Sequence, residues 1–187
     1  MMKKIYVFLA NGFEEIEAIT TIDVLRRANM LAVTCSIAPH KEVSGAHGIK
    51  IMADLLFDET DFKDADMLVL PGGMPGTSNL NDYIPLRELL LQHYKQGKGI
   101  AAICAAPMIL GNLYLLKGVE ATCYPGFEEM LKGASLSAKR VVEDKAIITA
   151  NGPGAAIDFG LQIVSSLKGE EVARQVAADI HKYASRD

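Results

Sequence analysis

Short apolar runs recur along the chain, and each is followed by turn residues and then by a helical pattern or a crossover of suitable length. Their hydrophobicity is unbroken rather than alternating, which is typical of strands that are covered on both faces of a sheet. We therefore predict four buried strands, at Ile5–Ala10, Ala32–Ala38, Met67–Leu70 and Gly99–Ile103.

Helical periodicity occupies the segments between and after these strands. Pro85 suits the first turn of a helix and Gly97 suits a helix end, so the segment between them is predicted to be helical. The predicted helices lie near residues 14–29, 85–97, 105–113, 154–167 and 170–184.

Two segments stand apart from this alternation. A hairpin is predicted from Val141–Val142 to Ala146–Ala150, with its turn at residues 143–145, and residues 41–57 predict short strands or a second small hairpin. The remaining order of strands and helices is that of an α/β fold with a doubly wound, mostly parallel sheet. Because the sequence shows no linker and no repeat, we predict a single domain over residues 1–187.

Composition narrows the classes of function. The chain is 50% hydrophobic and 22% charged, with a formal net charge of -4, which argues against nucleic acid or an anionic membrane as a partner. The cysteines Cys35, Cys104 and Cys123 show no C-x-x-C spacing, so neither a disulfide scaffold nor a zinc site is predicted. The apolar stretch after Lys3 and Lys4 is too short for a signal peptide or a membrane span, so we expect a cytoplasmic protein.

Cys104 ends an apolar run in I-A-A-I-C-A-A-P (100–107), and a helical pattern follows it. This is the sequence form of a nucleophile elbow, with Ala102 and Ala106 where the serine version has glycines. A thiol on such a turn is expected to face solvent at a helix N-terminus, where a lowered pKa would make the thiolate abundant below neutral pH. The alternative is a buried core cysteine, since free cysteine is among the most buried residue types.

Three turn segments are expected to meet at the carboxyl ends of the strands, where ligands bind in such sheets. They are Asn11-Gly12, Pro71-Gly72-Gly73 and the elbow at Cys104. The backbone N–H groups of Gly73 and Ala105 could form an oxyanion hole there. A plain tight turn at Pro71-Gly72-Gly73 is the alternative.

Glu17 lies on the apolar side of the first predicted helix, between Val24 and Ala28 on the helical wheel. Burial raises the pKa of a carboxyl, so Glu17 is expected to hold a proton that it can donate to a thiolate and later move. A salt-bridged or edge-exposed glutamate is the alternative. Glu14 and Glu15 have a simpler interpretation, because acidic residues in a first helical turn complement the helix dipole.

A cysteine–histidine dyad needs an imidazole within hydrogen-bonding distance of the thiol, and no pattern assigns any histidine to that place. The chain contains no H-E-x-x-H, phosphate-binding loop or G-x-G-x-x-G motif, so no metal, nucleotide or other cofactor is predicted. The unassigned histidines are His40, His47, His93 and His181.

Together, four motifs resemble the ThiJ/PfpI superfamily, and within it the branch of the parkinsonism-associated protein deglycase and its bacterial relatives. The motifs are F-E-E-I-E (13–17), V-L-P-G-G (69–73), A-A-I-C-A-A-P (101–107) and N-G-P-G (151–154). The resemblance runs from Lys4 to Lys182 and implies a flavodoxin-like, class I glutamine-amidotransferase-like sandwich that forms a homodimer.

The resemblance also assigns roles. It implies that Cys104 is a reactive, easily oxidised thiolate, that Glu17 is its protonated partner, and that Gly73 and Ala105 supply the backbone donors. The family's peptidase branch has a histidine directly after the nucleophile, where this chain has Ala105, which argues against proteolysis.

Two further positions depart from the family pattern. Tyr124 stands where several deglycase-branch members have a histidine, and a phenol is a poor base at neutral pH. His47 stands where an arginine is common, which weakens an anion site between subunits.

The leading hypothesis is therefore a cofactor-independent enzyme whose thiol attacks small α-oxoaldehydes, such as methylglyoxal, or repairs early glycation adducts. A non-enzymatic oxidative-stress sensor or redox-regulated chaperone that uses the same thiol is the alternative, and a peptidase is a weaker third. The expected partners are a small reactive carbonyl compound and a second copy of the chain, with no nucleic acid and no membrane.

Overall fold

A seven-stranded sheet forms the centre of the computed structural model, which describes residues 2–182. Neighbouring strands of this sheet are parallel, with one exception: the edge strand Val141–Asp144 pairs antiparallel with Ile147–Ala150. In spatial order the strands are β10 (Val141–Asp144), β11 (Ile147–Ala150), β7 (Gly99–Ile103), β6 (Met67–Leu70), β1 (Lys4–Leu9), β2 (Leu31–Ser36) and β5 (Leu55–Leu56).

Helices cover both faces of this sheet. One apolar cluster joins the sheet to α1 (Glu15–Arg27), α5 (Ala156–Lys168) and α6 (Glu170–Asp179). A second cluster, on the other face, includes residues of α2 (Gly76–Asp82), α3 (Ile84–Lys95) and α4 (Pro107–Asn112). Two small separate sheets pair β3 (Glu42–Ser44) with β4 (Lys50–Met52) and β8 (Glu120–Ala121) with β9 (Ser135–Leu136).

The predicted strands and the two predicted hairpins are confirmed, with small differences at their ends. The first strand of the later hairpin continues to Asp144, so the turn is tighter than expected and places Lys145 at a φ of 55°. Helix α6 was predicted to reach 184 but ends at Asp179; residues 183 and 184 lie outside the described part of the chain.

Helix α2 was not predicted. Its sequence, G-T-S-N-L-N-D, consists almost entirely of residues with low helix propensity, and it has too few apolar positions to show a helical period. Tertiary packing stabilises α2 instead, because Leu80 and Thr77 are fully buried in the protein interior.

The order of the strands determines where a site can form. Strand β1 has β6 on one side and β2 on the other, so the direction of winding reverses next to it. The carboxyl ends of β1, β6 and β7 lie side by side at one edge of the sheet. In doubly wound sheets, ligands bind in the crevice at this reversal, which is where the three turn segments were predicted to meet.

His93 on α3 gives the fold a dependence on pH. Its side chain is buried, and its Nε2 lies 3.1 Å from the carbonyl oxygen of Gly99, so the neutral ring donates this hydrogen bond. Burial, followed by the charge of Lys98, lowers the pKa of His93 to about 4. The unfolded chain binds a proton to this ring at a higher pH than the folded chain does, so stability is lost as the pH falls from about 6.5 towards 4.

We expect the free energy of unfolding to fall by about 2 kcal/mol from about pH 7.5 to about pH 5 because of this one ring. His93→Gln keeps a donor for Gly99 but does not titrate, so it should lose most of that decrease in urea unfolding at the two pH values. His40→Gln, at an exposed histidine, serves as the control. Equal pH dependence in wild type and His93→Gln would contradict this assignment.

Candidate active site

Cys104 lies on a sharp turn directly after β7. Its backbone has a φ of +64°, a left-handed conformation that is strained for a residue with a side chain. Two hydrogen bonds of 2.8 Å hold the turn: the Cys104 N–H donates to the carbonyl of Ala150, and the Cys104 carbonyl accepts from the N–H of Tyr124. The predicted nucleophile elbow is therefore present, although α4 begins only at Pro107.

Gly72 allows the elbow and α1 to approach each other. A Cβ at this position would lie 2.7 Å from both Cys104 Cβ and Glu17 Oε2, and 2.9 Å from the carbonyl oxygen of Ile103. No side chain fits in that space. The neighbouring Gly73 has a φ of +90°, and its Cβ would meet the backbone nitrogen of Glu14 at 2.3 Å. Pro71-Gly72-Gly73 is therefore one wall of the site rather than a plain tight turn.

Glu17 is fully buried and points to this wall, as the helical wheel predicted. Its Oε2 accepts a hydrogen bond of 2.8 Å from the N–H of Gly72. Its Oε1 is buried and accepts no hydrogen bond from any residue between 2 and 182. The backbone N–H of Glu17 donates to Oε2 of Glu14 at 2.7 Å, so Glu14 caps the start of α1 and fixes this turn of the helix.

The carboxyl of Glu17 exchanges its proton close to neutral pH. Burial raises its pKa to about 7, the charge of Glu14 adds to that rise, and the Cys104 thiol and the Gly72 N–H oppose it. A buried carboxylate oxygen without a donor is costly, and Oε2 is already paired with Gly72. Within residues 2–182, Oε1 is the carboxyl oxygen that no hydrogen-bond donor occupies.

The expectation of a solvent-facing thiol with a lowered pKa is wrong. Cys104 is only 8% exposed, and burial raises the pKa of its thiol to about 12, with the negative charge of Glu17 and a hydrogen bond to it acting in the same direction. The elbow is packed under Gly72. The following helix is also short and starts late, so it offers little dipole to the sulfur. Burial and the charge of Glu17 both favour the protonated thiol over the thiolate.

The two backbone donors predicted for the site do act on this sulfur. The N–H groups of Ala105 and Gly73 both lower the pKa of Cys104, which means that they stabilise negative charge at the elbow. The structure thus brings together four predicted site residues: Cys104, Glu17, Gly73 and Ala105. Their catalytic roles stay predictions.

The other two cysteines lie elsewhere. Cys35 and Cys123 belong to the apolar cluster on the α2–α4 side of the sheet, whereas Cys104 belongs to the cluster on the α1 side. Burial raises the pKa of Cys35 to about 12 and that of Cys123 to about 11. Among residues 2–182, no carboxyl is hydrogen-bonded to either thiol, unlike Cys104.

The structure describes the surroundings of Tyr124, one of the positions at which the chain departs from the family pattern. Tyr124 is 46% exposed, and its ring lies against Gly152, where a Cβ would be 3.1 Å from Tyr124 Cδ2. The N-G-P-G segment therefore adjoins the residue whose N–H binds the elbow carbonyl. Within residues 2–182, no histidine forms a hydrogen bond or ion pair with Cys104.

Sequence reasoning missed the role of Glu15. This side chain is buried, and it accepts hydrogen bonds from the backbone N–H groups of His47 (2.7 Å) and Ile49 (3.3 Å) and lies 2.9 Å from Nδ1 of His47. It thereby joins the start of α1 to the tip of the β3–β4 hairpin. The sequence offers one signal for this role, which is that two acidic residues, Glu14 and Glu15, are adjacent in F-E-E-I-E.

A strained elbow cysteine beside a buried glutamate, at the winding reversal of a parallel sheet, defines a nucleophile-elbow α/β protein of the flavodoxin-like class. The chain belongs to the DJ-1/PfpI family, whose sequence model matches residues 3–166. The predicted resemblance and the predicted fold are both confirmed.

Individual relatives agree with this assignment. The chain is 37% identical to Protein DJ-1 homolog B of Arabidopsis thaliana over 180 residues, which is 95% of this chain but 41% of that protein. It is 38% identical over 164 residues to glutathione-independent glyoxalase DJR-1.2 of Caenorhabditis elegans, with 84% of each chain covered. The oxidized DJ-1 of Toxoplasma gondii superimposes with a TM-score of 0.93 at 37% identity, covering 97% of this chain and 99% of that one. The chain thus spans less than half the length of the Arabidopsis relative.

Other expectations remain open. None of the helices within residues 2–182 combines the length and the apolar character that a membrane crossing requires. Five expectations stay predictions. They are a cytoplasmic location, a homodimer, the absence of a cofactor, the lack of nucleic-acid and membrane partners, and a single domain over residues 1–187.

Proposed function

We propose that the protein is a cysteine-dependent stress-protection enzyme that converts small α-oxoaldehydes, such as methylglyoxal, into 2-hydroxy acids without glutathione or another cofactor. The observation that carries this proposal is the Glu17 carboxyl, with a pKa raised to about 7, buried next to the Cys104 thiol. A general base works best when its pKa lies near the working pH. The similarity to a protein named as a glutathione-independent glyoxalase supports the same choice of reaction.

In the first step, the Glu17 carboxylate takes the thiol proton while Cys104 Sγ bonds to the aldehyde carbon. The raised pKa of Cys104 fits this order, because the proton stays on sulfur until the attack. The aldehyde oxygen gains the negative charge, and in this proposal it accepts hydrogen bonds from the N–H groups of Gly73 and Ala105. The action of both N–H groups on the neighbouring sulfur supports this role. Protonation of that oxygen gives a hemithioacetal.

In the second step, the proton on the former aldehyde carbon is removed, and a proton is added to the neighbouring carbonyl carbon. The first carbon is thereby oxidised and the second reduced, so no external oxidant or reductant is needed. The product is a thioester of the 2-hydroxy acid on Cys104. Water then hydrolyses the thioester and restores the thiol, with Glu17 moving protons in both steps.

Purified protein incubated with methylglyoxal in the absence of glutathione tests the proposal. We expect methylglyoxal to disappear with formation of one lactate per aldehyde. Lactate formation no faster than in heat-denatured protein would overturn it. An early glycation adduct, the hemithioacetal of methylglyoxal with N-acetylcysteine, serves as the second substrate, because a faster rate on the adduct would favour repair over removal of the free aldehyde.

A redox sensor or redox-regulated chaperone is the second candidate, because the similar Toxoplasma structure is described as oxidized and the same thiol would serve. We expect mild peroxide to add oxygen to Cys104 and to leave Cys35 and Cys123 largely unmodified. Only Cys104 has both a carboxyl that can accept its proton and two N–H groups that favour its anion. Peptide mass spectrometry measures the oxygen at each site, and equal oxidation of the three cysteines would contradict a specially activated thiol.

A further inference from the structure

Three metal-ligating side chains meet outside the elbow. Nδ1 of His47 and one carboxylate oxygen each of Glu14 and Glu15 all lie within 4.8 Å of one another. Nδ1 is 2.9 Å from Oε2 of Glu15 and 4.0 Å from Oε1 of Glu14. The two glutamates come from the start of α1, and the histidine comes from the tip of the β3–β4 hairpin.

The carboxylates are held in place by contacts that leave one oxygen of each available. Oε1 of Glu15 accepts the N–H groups of His47 and Ile49, and its Oε2 faces the imidazole. Oε2 of Glu14 accepts the N–H of Glu17, while its Oε1 accepts no hydrogen bond from the described residues, although the side chain is only 10% exposed. That Oε1 is turned towards His47, whose Nδ1 at 4.0 Å is the cationic group that residues 2–182 place nearest to it.

The tip of the β3–β4 hairpin packs closely against Glu15 and the start of α1. A Cβ at Gly45 would lie 2.3 Å from Oε1 of Glu15, so a larger residue there would displace this carboxylate from its present position. The backbone N–H of Ala46 also donates to the carbonyl of Phe13 at 2.8 Å. The relative positions of the three ligand atoms are therefore determined by packing and by backbone bonds, as metal sites require of their supporting contacts.

We propose that Glu14, Glu15 and His47 form a binding site for a divalent transition-metal cation of the Zn²⁺ type. Two carboxylate oxygens and one imidazole nitrogen are a ligand set that Zn²⁺ uses, with bonds of about 2.0–2.2 Å. Ligand atoms of a tetrahedral ion at that distance are about 3.4 Å apart, and the observed separations of 2.9 and 4.0 Å lie on either side of this value. The cation takes the place of the proton on Nδ1.

The charges in the site favour such an ion. Two carboxylates supply two negative charges, and the only side chain of the described residues that forms ion pairs with them is the imidazole of His47. In the single chain the His47 side chain is 71% exposed, so water can fill the remaining coordination position. The thiol of Cys104 is not one of the ligands, so this site is distinct from the elbow.

The experiment uses the Cys104→Ser protein, because a thiol would otherwise compete for the metal. Zn²⁺ binding is measured by isothermal titration calorimetry, and Co²⁺ binding by visible absorption. We expect one Zn²⁺ per chain and a Co²⁺ spectrum with no thiolate charge-transfer band. His47→Ala should weaken Zn²⁺ binding by at least about tenfold, which corresponds to about 1.4 kcal/mol.

His40→Ala is the matched control, since His40 is also an exposed histidine whose Nδ1 lies near a backbone carbonyl rather than a carboxylate. It should bind Zn²⁺ as the parent does. His47 is exposed, so its replacement leaves the folded chain intact, which circular dichroism verifies. The proposal is overturned if the parent binds no Zn²⁺ up to about millimolar concentration, or if His47→Ala and His40→Ala bind it equally well.

Discussion

Replacing Cys104 with alanine is expected to lower the rate of lactate formation from methylglyoxal by at least about 1,000-fold, because the covalent route needs the sulfur and no neighbouring group can take its place. The other cysteines lie in the opposite apolar cluster. Removal of one sulfur from an 8% exposed side chain leaves only a small space, so the variant should fold.

Cys35→Ala is the matched control, since it removes a buried thiol on β2, in the opposite apolar cluster. Its rate should stay within about twofold of the wild-type rate, once both proteins are shown to be folded by thermal unfolding. If Cys104→Ala retained the wild-type rate, the enzymatic proposal would fail. If only peroxide sensitivity were lost with Cys104, the sensor would be the better description.

Replacing Glu17 with glutamine is expected to lower the same rate by about 100- to 10,000-fold, the range for loss of a general base. The amide oxygen can still accept the N–H of Gly72, so the wall of the site should be retained. The amide cannot take the thiol proton. Glu88→Gln, at an exposed carboxyl on α3, removes the same charge elsewhere and should leave the rate unchanged.

The pH profile separates this chemical role from a structural one. Because burial raises the pKa of Glu17 to about 7, the carboxyl is a protonated, inactive base below that pH and an active base above it. The wild-type rate should therefore rise as the pH increases through about 7, and Glu17→Gln should lack that rise. A rise of equal size and position in both proteins would show that another group governs the reaction.

The fold and the position of the elbow were predictable because they depend on local pattern. Unbroken apolar runs indicate strands that are buried on both faces, and small residues around a single thiol after such a run indicate a sharp turn. The helical period likewise places Glu17 on the buried side of α1, where it is found. Helix α2 was missed because its residues disfavour a helix, and packing around Leu80 outweighs that preference.

The state of the thiol was not predictable from the chain. An elbow pattern suggests an exposed sulfur at a helix N-terminus, whereas the sulfur is buried and α4 starts only at Pro107. The pKa values of Cys104 and Glu17 depend on how far each group is removed from water and on the charge that each presents to the other. Both the burial and the charge coupling depend on how closely segments that are far apart in sequence pack together.

By itself, the amino-acid sequence determined the parallel sheet, the thiol on its strand-end turn, the inward direction of Glu17 and the family. Tertiary structure alone decided that Gly72 brings Glu17 against Cys104, that burial raises the pKa of the thiol, and that Glu14 and Glu15 face His47. Periodicity and turn chemistry are properties of neighbouring residues, whereas burial, charge coupling and ligand convergence arise only when separate segments are packed together.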